Sequence, residues 1–259
     1  MWLSASTLMY AGYSLETALR EISLAGFAAV DLWAAPRHCQ HVDPLGDDPE
    51  RLRRLLSDFG LRPAALSLYG NDVTRALAGI DFAAAIQAPL VVTGAGVSGP
   101  AEVIGYLGPL LKRAATRGVL VAPANHVNTP LESLAEIEGL LSSLGSLHLG
   151  IAYAPPHSYA CGESPDVVIQ ALGSRLVFFY SWDIPPGYRR GSRESFWADP
   201  AGQVPGSGGL DFDSIFRALR EVGYAGYANV VWHGSRGWEL PQVTATLRAA
   251  ARFLERYVS

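Results

Sequence analysis

Short apolar runs rich in β-branched residues alternate along the chain with longer segments in which apolar residues recur at helical spacing. Runs of this length with few polar positions are typical of strands buried on both faces of a parallel sheet. Alternation of such strands with helices predicts an α/β fold. The predicted strands are eight in number and cover residues 3–7, 28–33, 63–69, 90–94, 119–125, 147–154, 176–183 and 227–233.

The helical segments begin and end at recognisable residues. Asp48 precedes Pro49 at the start of one predicted helix, and Gly60 follows its last apolar residue. Aspartate at the N-cap, proline in the first turn and glycine after the last turn are the usual helix boundaries. Eight strand–helix units in a chain of this length predict a single (β/α)8 TIM barrel with parallel strands, forming one domain over residues 1–259.

A doubly wound open sheet is the alternative arrangement of the same elements. Such a sheet commonly binds a dinucleotide at a GxGxxG turn after an early strand. No GxGxxG follows any early strand of this sequence. The pattern therefore favours the barrel, and no dinucleotide cofactor is predicted.

Composition narrows the range of partners and compartments. The 259 residues are 49% hydrophobic and 17% charged, which is enough apolar material for a large core, and the net charge is −4. A negative chain is poorly suited to bind nucleic acid. No apolar run is long enough to span a bilayer, and the N-terminus has no basic leader, so we expect a cytoplasmic protein without a membrane partner. Cys39 and Cys161 are far apart and predict no disulfide framework.

In a TIM barrel the reactive side chains lie at the carboxyl ends of the strands. The segment "VAPANHVN" places Asn125 and His126 at such an end, and His157 follows the next strand. The loop 184–209 is long for a strand–helix connection and holds Arg189 and Trp197, which suggests a lid or binding segment. The other polar and aromatic candidates at strand ends are Asp31, Trp33, Tyr69, Tyr180, Trp182, Asp183, Trp232 and His233.

Two further segments have a recognisable polar pattern. In "GSGGLDFDSIF", backbone N–H groups at a helix start could bind an anion, although Asp211 or Asp213 would repel it and could instead cap the helix. In "RHCQHVD", His38, Cys39 and His41 have a spacing that resembles metal ligands. A single short cluster is weak evidence for a metal site. We expect a loop that folds over the pocket, with His38 pointing inward.

Five segments, in this order and spacing, resemble the xylose isomerase-like TIM-barrel superfamily of sugar isomerases, epimerases, inosose dehydratases and endonuclease IV-type enzymes. The resemblance spans nearly the whole chain and implies a barrel that binds a small-molecule ligand at its mouth. DNA repair of the endonuclease IV type is disfavoured by the acidic composition. The segments are "SLETALREISLAGFAAVDLW", "GVLVAPANHVNTP", "IAYAPPHSYACGESP", "RLVFFYSWD" and "GGLDFDSIFRALREVGYAGY".

The resemblance also implies four side chains that hold one divalent cation: a Glu, an Asp, a His and a Glu on the last four strands. In this sequence Ala124, Ala154, Tyr180 and Val231 stand at those positions. Alanine and valine have no donor atom, and no carboxylate remains to balance a hard dication. The sequence therefore predicts no bound metal and no other cofactor. Zn²⁺ held by imidazoles alone is the alternative.

This interpretation assigns roles to the polar residues that remain at the strand ends. His126 and His157 are predicted to transfer protons, Asp183 to orient the substrate and Tyr180 to stabilise developing negative charge. The alternative for each histidine is a hydrogen bond to a loop backbone. The predicted substrate-binding residues are Asp31, Trp33, Tyr69, Asn125, Trp182, Arg189, Trp232 and His233.

Two functions remain open at this level. The first is an enzyme of the isomerase, epimerase or lyase type that acts on a small polyhydroxylated or cyclic metabolite without a metal. The second is a non-catalytic binding protein, or a partner subunit, that kept the pocket and lost the metal site. The sequence does not name the substrate, and it leaves both a homodimer and a heteromeric partner open.

Overall fold

The computed structural model describes residues 1–94 and 99–258, in which eight parallel strands form a barrel. This confirms the predicted TIM-barrel fold. Each of the eight predicted strands is present, and one additional short strand, β3, pairs antiparallel with the end of β2. The strands are β1 (Trp2–Ser6), β2 (Ala29–Ala35), β3 (Cys39–Gln40), β4 (Arg62–Leu68), β5 (Leu90–Thr93), β6 (Leu120–Pro123), β7 (Ile151–Tyr153), β8 (Leu176–Ser181) and β9 (Tyr227–Val230).

The order of strands around the barrel follows the chain. Hydrogen-bonded neighbours run β6, β5, β4, β2, β1, β9, β8 and β7. Parallel bridges from Val121 to Leu149 and from Ala124 to Ala152 join β6 to β7 and close the ring. In this ring β4 lies opposite β8, and β2 lies opposite β7, because three strands lie between the members of each pair on either side.

The helices form the outer layer, and their ends follow the local signals of the sequence. The side chain of Asp48 accepts a hydrogen bond from Glu50 N at 2.9 Å, and that of Asp211 accepts one from Ser214 N at 3.1 Å. Both aspartates are therefore N-caps, as their positions predict. The helices are α1 (Leu15–Leu24), α2 (Pro49–Asp58), α3 (Val73–Ala85), α4 (Pro100–Arg117), α5 (Leu134–Leu144), α6 (Pro155–Ala160), α7 (Pro165–Leu172), α8 (Phe212–Glu221) and α9 (Leu240–Val258).

The inside of the barrel contains a polar layer as well as the usual apolar one. Ser4, Asp31, Ser67 and Asn229 are all fully buried, although they come from four different strands. Buried polar groups are stable only when they hydrogen-bond one another. The cavity described below lies on the carboxyl-terminal side of this layer.

Within residues 1–94 and 99–258, no helix is both long and apolar enough to cross a membrane.

Candidate functional site

A cavity of about 250 Å³ opens at the carboxyl ends of the barrel strands. This is the position that the fold predicts for a binding site. Its lining combines imidazoles and large aromatic rings with a few small residues. The lining residues are Trp33, His38, Tyr69, Ala124, Asn125, His126, Ala154, His157, Tyr180, Trp182, Trp197, Val231 and His233.

Two histidines stand face to face on one wall of this cavity. His126 follows β6 and His157 lies in α6, and the two ring centroids are 4.0 Å apart. His126 Nδ1 lies 2.7 Å from the carbonyl oxygen of Val127, and because a carbonyl can only accept, Nδ1 is the donor. Val127 N donates to His157 Nδ1 at 3.4 Å. In the neutral state, His126 therefore has an unprotonated Nε2, whereas His157 has a protonated one.

Burial keeps the imidazoles of His126, His157 and His233 neutral near pH 7. Desolvation lowers the pKa of His126, and it lowers the pKa of His157 well below the ordinary value of 6.5. The same cause, together with the nearby His126 and His38, lowers the pKa of His233 to about 3. Neutral imidazoles retain both a donor and an acceptor, which general acid–base chemistry requires.

Large aromatic rings form the remaining walls. Trp33 and Tyr69 stack with centroids 4.8 Å apart. Trp182 and Trp197 both contact His233, at centroid distances of 4.8 and 4.9 Å. Flat apolar faces bordered by polar groups suit the ring faces of sugars and cyclic polyols.

The positions that the resemblance assigns to a divalent cation do face the cavity. Ala124, Ala154, Tyr180 and Val231 all line it. Three of them have no donor atom, and the Tyr180 hydroxyl is hydrogen-bonded to Ser67 and Tyr69. Burial also raises the pKa of Tyr180 well above 10, which disfavours the phenolate that a metal would need. Among the described residues, no group of three or more His, Cys, Asp or Glu is arranged to hold a metal. The donor set does not fit a hard dication.

The long loop 184–209 folds over the mouth of the barrel. Phe196 and Trp197 in this loop pack against His157, with centroids 5.7 and 5.9 Å away. Arg193 forms an ion pair with Glu132 at 2.7 Å, which ties the loop to the segment before α5. The buried side chain of Gln203 accepts from Trp182 Nε1 at 3.2 Å and from His233 N at 3.0 Å. The loop therefore both covers the cavity and positions two of its walls.

Asp183 has surroundings different from those predicted for a catalytic residue. It is buried and does not line the cavity. Its carboxylate accepts hydrogen bonds from the N–H groups of Ile184, Gly206, Gly208 and Leu210, at 2.9 to 3.0 Å. Three of those amides, from Gly206, Gly208 and Leu210, belong to the segment whose N–H groups could bind an anion. The anion at this segment is the side chain of Asp183, which holds the two ends of the loop together.

Eight of the twelve predicted site residues line the cavity together: Trp33, Tyr69, Asn125, His126, His157, Tyr180, Trp182 and His233. Asp31 is buried beneath the cavity, and Arg189 is exposed on the loop. Trp232 is fully buried and packs against Trp238 with centroids 6.2 Å apart. Asn125 lines the cavity, but its amide is engaged by the backbone of Ala154 at 2.7 and 3.1 Å. Asp183, Arg189 and Trp232 thus do not face a ligand in this cavity.

The histidine and cysteine cluster after β2 divides between two roles. His38 lines the cavity, as its position in the loop predicts. Cys39 Sγ and His41 Nδ1 are 3.2 Å apart, and His41 Nε2 lies 2.9 Å from the carbonyl oxygen of Tyr13. These contacts hold the loop in place. Trp197, Ser67 and Gln203 are site residues that the predicted set does not include. Trp197 lies in the long loop and Ser67 near the carboxyl end of a predicted strand, whereas Gln203 has no sequence signal of its own.

Curated relatives match about half of this chain. The rhizopine catabolism protein MocC of Rhizobium meliloti is 32% identical over 46% of this chain and 38% of its own length. An inosose dehydratase of Clostridium botulinum (strain Alaska E43 / Type E3) is 26% identical over 47% of this chain and 43% of its own length. The match thus spans less than half of the length of these relatives.

The fold and the family are shown over nearly the whole chain. The crystal structure of the probable 3-DHS dehydratase AsbF from Bacillus anthracis superposes with a TM-score of 0.79 and 19% identity, covering 98% of this chain and 99% of that one. The family described as xylose isomerase-like TIM barrel matches residues 19–257. The chain therefore belongs to the xylose isomerase-like TIM-barrel family, whose relatives include sugar epimerases and dehydratases.

Proposed function

We propose that this protein transfers protons at a carbon next to the carbonyl of a small substrate, without a divalent metal. The reaction is an isomerisation, an epimerisation or the loss of water. The observation that carries the proposal is the pair His126 and His157, whose rings stand 4.0 Å apart in the cavity. The unprotonated Nε2 of His126 serves as the base, and the protonated Nε2 of His157 donates a hydrogen bond to substrate oxygen.

The substrate class follows from the cavity. A volume of about 250 Å³ holds a molecule of roughly monosaccharide size. Among the described residues that line it, none is a lysine or an arginine, so a phosphate ester would lack a charge partner. The aromatic walls suit a ring face. We therefore propose an uncharged cyclic or polyhydroxylated ketone or aldehyde, which is consistent with the names of relatives that act on inosose.

A proton-exchange experiment tests this proposal directly. The protein is incubated in D2O with neutral ketoses and an inosose, and with phosphate esters of the ketoses as charged counterparts. NMR then follows deuterium entering the carbon next to the carbonyl. All three reactions begin by removing that proton, so one measurement covers them. We expect exchange with at least one neutral substrate and at least tenfold less with its phosphate ester.

Matched histidine variants locate the activity. We expect His126→Gln to slow exchange about 100-fold, the usual contribution of a positioned base. His148→Gln is the control, because His148 contacts the carbonyl oxygen of Val119 at 3.1 Å and does not line the cavity. Equal rates in these two variants would refute the role of His126.

Elemental analysis tests the absence of metal separately. We expect protein purified without chelator to hold far less than one equivalent of Mg, Mn, Co or Zn, and EDTA to leave exchange unchanged. An outcome in which EDTA removes a bound metal and abolishes deuterium exchange, and adding the metal back restores the exchange, would contradict the metal-independent part of the proposal.

The second candidate is a cytoplasmic binding protein or partner subunit without catalysis. It is favoured by the replacement of all four cation-binding positions at once, at Ala124, Ala154, Tyr180 and Val231. Saturable binding by calorimetry with no deuterium exchange at any pH would favour it over the enzyme. A homodimer or heteromeric complex remains a prediction, which light scattering of the purified protein tests.

A further inference from the structure

A chain of hydroxyl groups leads from the cavity to the buried carboxylate of Asp31. The Tyr69 hydroxyl lies 3.1 Å from the Tyr180 hydroxyl, which lies 3.2 Å from Ser67 Oγ. Ser67 Oγ in turn donates to Asp31 Oδ1 at 2.7 Å. Tyr69 and Tyr180 line the cavity, whereas Ser67 and Asp31 are fully buried beneath it. Each link is within hydrogen-bond distance.

The donors in this chain all point the same way. With Asp31 ionised, Ser67 gives its one proton to Asp31, so the Tyr180 hydroxyl donates to Ser67 and the Tyr69 hydroxyl donates to Tyr180. With Asp31 protonated, the carboxyl group donates to Ser67, and the order of donors reverses towards the cavity. The other oxygen of Asp31 accepts from Trp33 Nε1 at 3.0 Å and from Asn229 Nδ2 at 3.3 Å. These two contacts leave Oδ1 as the oxygen that faces the chain of hydroxyls.

The chain of hydroxyls and the histidine pair lie on opposite sides of the barrel. Tyr180 starts on β8, but its hydroxyl contacts Ser67 on β4, the strand across the ring. Asp31 is on β2, which lies opposite β7, and His157 follows β7. A substrate between them meets His126 and His157 on one side and the tyrosine hydroxyls on the other.

The surroundings of Asp31 allow it to hold a proton near neutral pH. The titratable groups that face it are Tyr69, directly after β4, Tyr180 from β8 and Cys39 from β3. In the described part of the chain, Asp31 forms no ion pair with a cationic side chain. Burial raises the pKa of Asp31 to about 6, although four hydrogen-bonding side chains partly oppose this. A carboxyl group that titrates close to working pH can both hold and release a proton.

We propose that Tyr69, Tyr180, Ser67 and Asp31 form a proton relay, which supplies the acid on the side of the cavity opposite the histidine pair. The inference rests on the proposed function, because it deepens the proton transfer assigned to that site. Tyr69 and Tyr180 are the members that touch substrate, and Ser67 and Asp31 act through them. The tyrosine hydroxyls thereby stabilise a developing oxyanion by donating hydrogen bonds to it.

The step balances without any external reagent. His126 Nε2 takes the proton from carbon, the electron pair of the broken C–H bond forms a C=C bond, and the carbonyl electrons move to oxygen. That oxygen takes the hydroxyl proton of Tyr69 or Tyr180. If Tyr69 is the donor, it takes the hydroxyl proton of Tyr180. In either case Tyr180 takes the proton of Ser67, and Ser67 takes the proton of Asp31. The products are an enol, a protonated His126 and an ionised Asp31, and the reverse sequence on the next carbon restores both residues.

The pH profile of deuterium exchange tests the relay against a purely structural role. The acid must be protonated, so we expect the wild-type rate to fall as the pH rises above about 6. Tyr180→Phe and Ser67→Ala break the chain of hydroxyls, and each should slow exchange at least tenfold and remove this alkaline decline. Tyr10→Phe is the matched control. It also loses a buried tyrosine hydrogen bond, to Thr244 at 3.3 Å, but lies outside the cavity.

A second measurement does not depend on catalysis. Infrared spectroscopy at pH 4.5 follows the carboxyl band of Asp31, assigned with Asp31→Asn, after transfer into D2O. We expect this carboxyl to exchange at least tenfold more slowly in Tyr180→Phe and Ser67→Ala than in the wild type and in Tyr10→Phe. Unchanged carboxyl exchange would overturn the relay even if no substrate were found. An unchanged pH profile of deuterium exchange in Tyr180→Phe and Ser67→Ala would overturn the relay. If His126→Gln still slowed exchange, the proposed function would stand.

Discussion

At the scale of single residues, the carboxylate of Asp183 shows how one side chain organises a whole loop. Its two oxygens accept hydrogen bonds from four backbone N–H groups, which fill the acceptor sites of a carboxylate. Gly208 is part of this arrangement, because a Cβ at that position would collide with the carbonyl oxygen of Ile184 and with the carboxylate itself. Gly208 thus allows the backbone to approach Asp183.

We predict that Asp183→Asn lowers the free energy of unfolding by about 3 kcal/mol. An amide presents an NH2 group where the native side chain accepts, so at least one buried N–H loses its partner. Urea denaturation measures the effect. Asp199→Asn is the control, because Asp199 is exposed and accepts from a single N–H, that of Gly202. Similar losses in the two variants would show that Asp183 does not anchor the loop.

Strand alternation explains which site residues could be predicted from the sequence. The position of a residue at the carboxyl end of a strand predicts that it lies near the site, but not the face of the strand on which its side chain lies. Successive residues of a strand point to opposite faces. Val231 and His233 line the cavity, so Trp232 between them points away, and Asp183 points away from the face that Tyr180 and Trp182 share. Alternation along each strand therefore separates Trp232 and Asp183 from the residues that line the cavity.

At the scale of elements, the loop 184–209 is a lid built largely from aromatic packing. Phe196 and Trp197 stack on each other with centroids 4.9 Å apart, and Trp197 also stacks on His126 at 5.8 Å. The surface ion pair between Arg193 and Glu132 adds a polar contact at the rim. Exposed pairs of this kind contribute little to stability, so the aromatic contacts hold the lid.

We predict that Trp197→Ala weakens ligand binding about tenfold. The indole forms one face of the cavity, and aromatic contacts of this kind are worth about 1 kcal/mol beyond the area that they bury. Calorimetry with the ligand found in the exchange screen gives the dissociation constant. Trp2→Ala is the control, because Trp2 is 62% exposed at the amino-terminal end of β1, away from the cavity. Equal affinities in the two variants would place the ligand elsewhere.

The elements themselves were predictable because their signals are local. Apolar runs of strand length and capping residues such as Asp48 depend only on neighbours in the sequence. The short strand β3 has no such signal, since it exists through pairing with β2. The same reason hides Ser67 and Gln203: their roles depend on partners 36 and 21 residues away. The spacing of apolar residues in the sequence indicates which positions are buried, but it does not indicate which buried groups contact one another.

At the scale of the whole molecule, the cavity groups make stability depend on pH in two directions. The folded-state pKa values of His126, His157 and His233 are lowered, so the unfolded chain binds more protons below pH 6.5, and stability is lost as the pH falls through that range. The folded-state pKa of Asp31 is raised from 3.8 to about 6, so its contribution is lost as the pH rises between these values.

We predict that His233→Gln reduces the loss of stability on acidification. With a folded-state pKa of about 3, His233 should account for about 1 to 2 kcal/mol of the loss between pH 6.5 and 5, allowing for its partial exposure. Urea denaturation at several pH values measures the slope. His148→Gln should retain the wild-type slope, and a His233→Gln protein with that same slope would contradict the assignment.

The hydrogen bonds between Asp183 and the backbone at both ends of the loop determine how this barrel could be re-engineered. Gly209 N donates to the carbonyl oxygen of Ile184 at 2.8 Å, so the chain leaves the barrel and returns to it at nearly the same point. The stretch 185–202 can therefore be exchanged, whereas Gln203 must stay because it holds Trp182 and His233. Splicing a short turn between residues 184 and 203 should open the cavity, and other loop sequences could then be grafted there to recognise different rings.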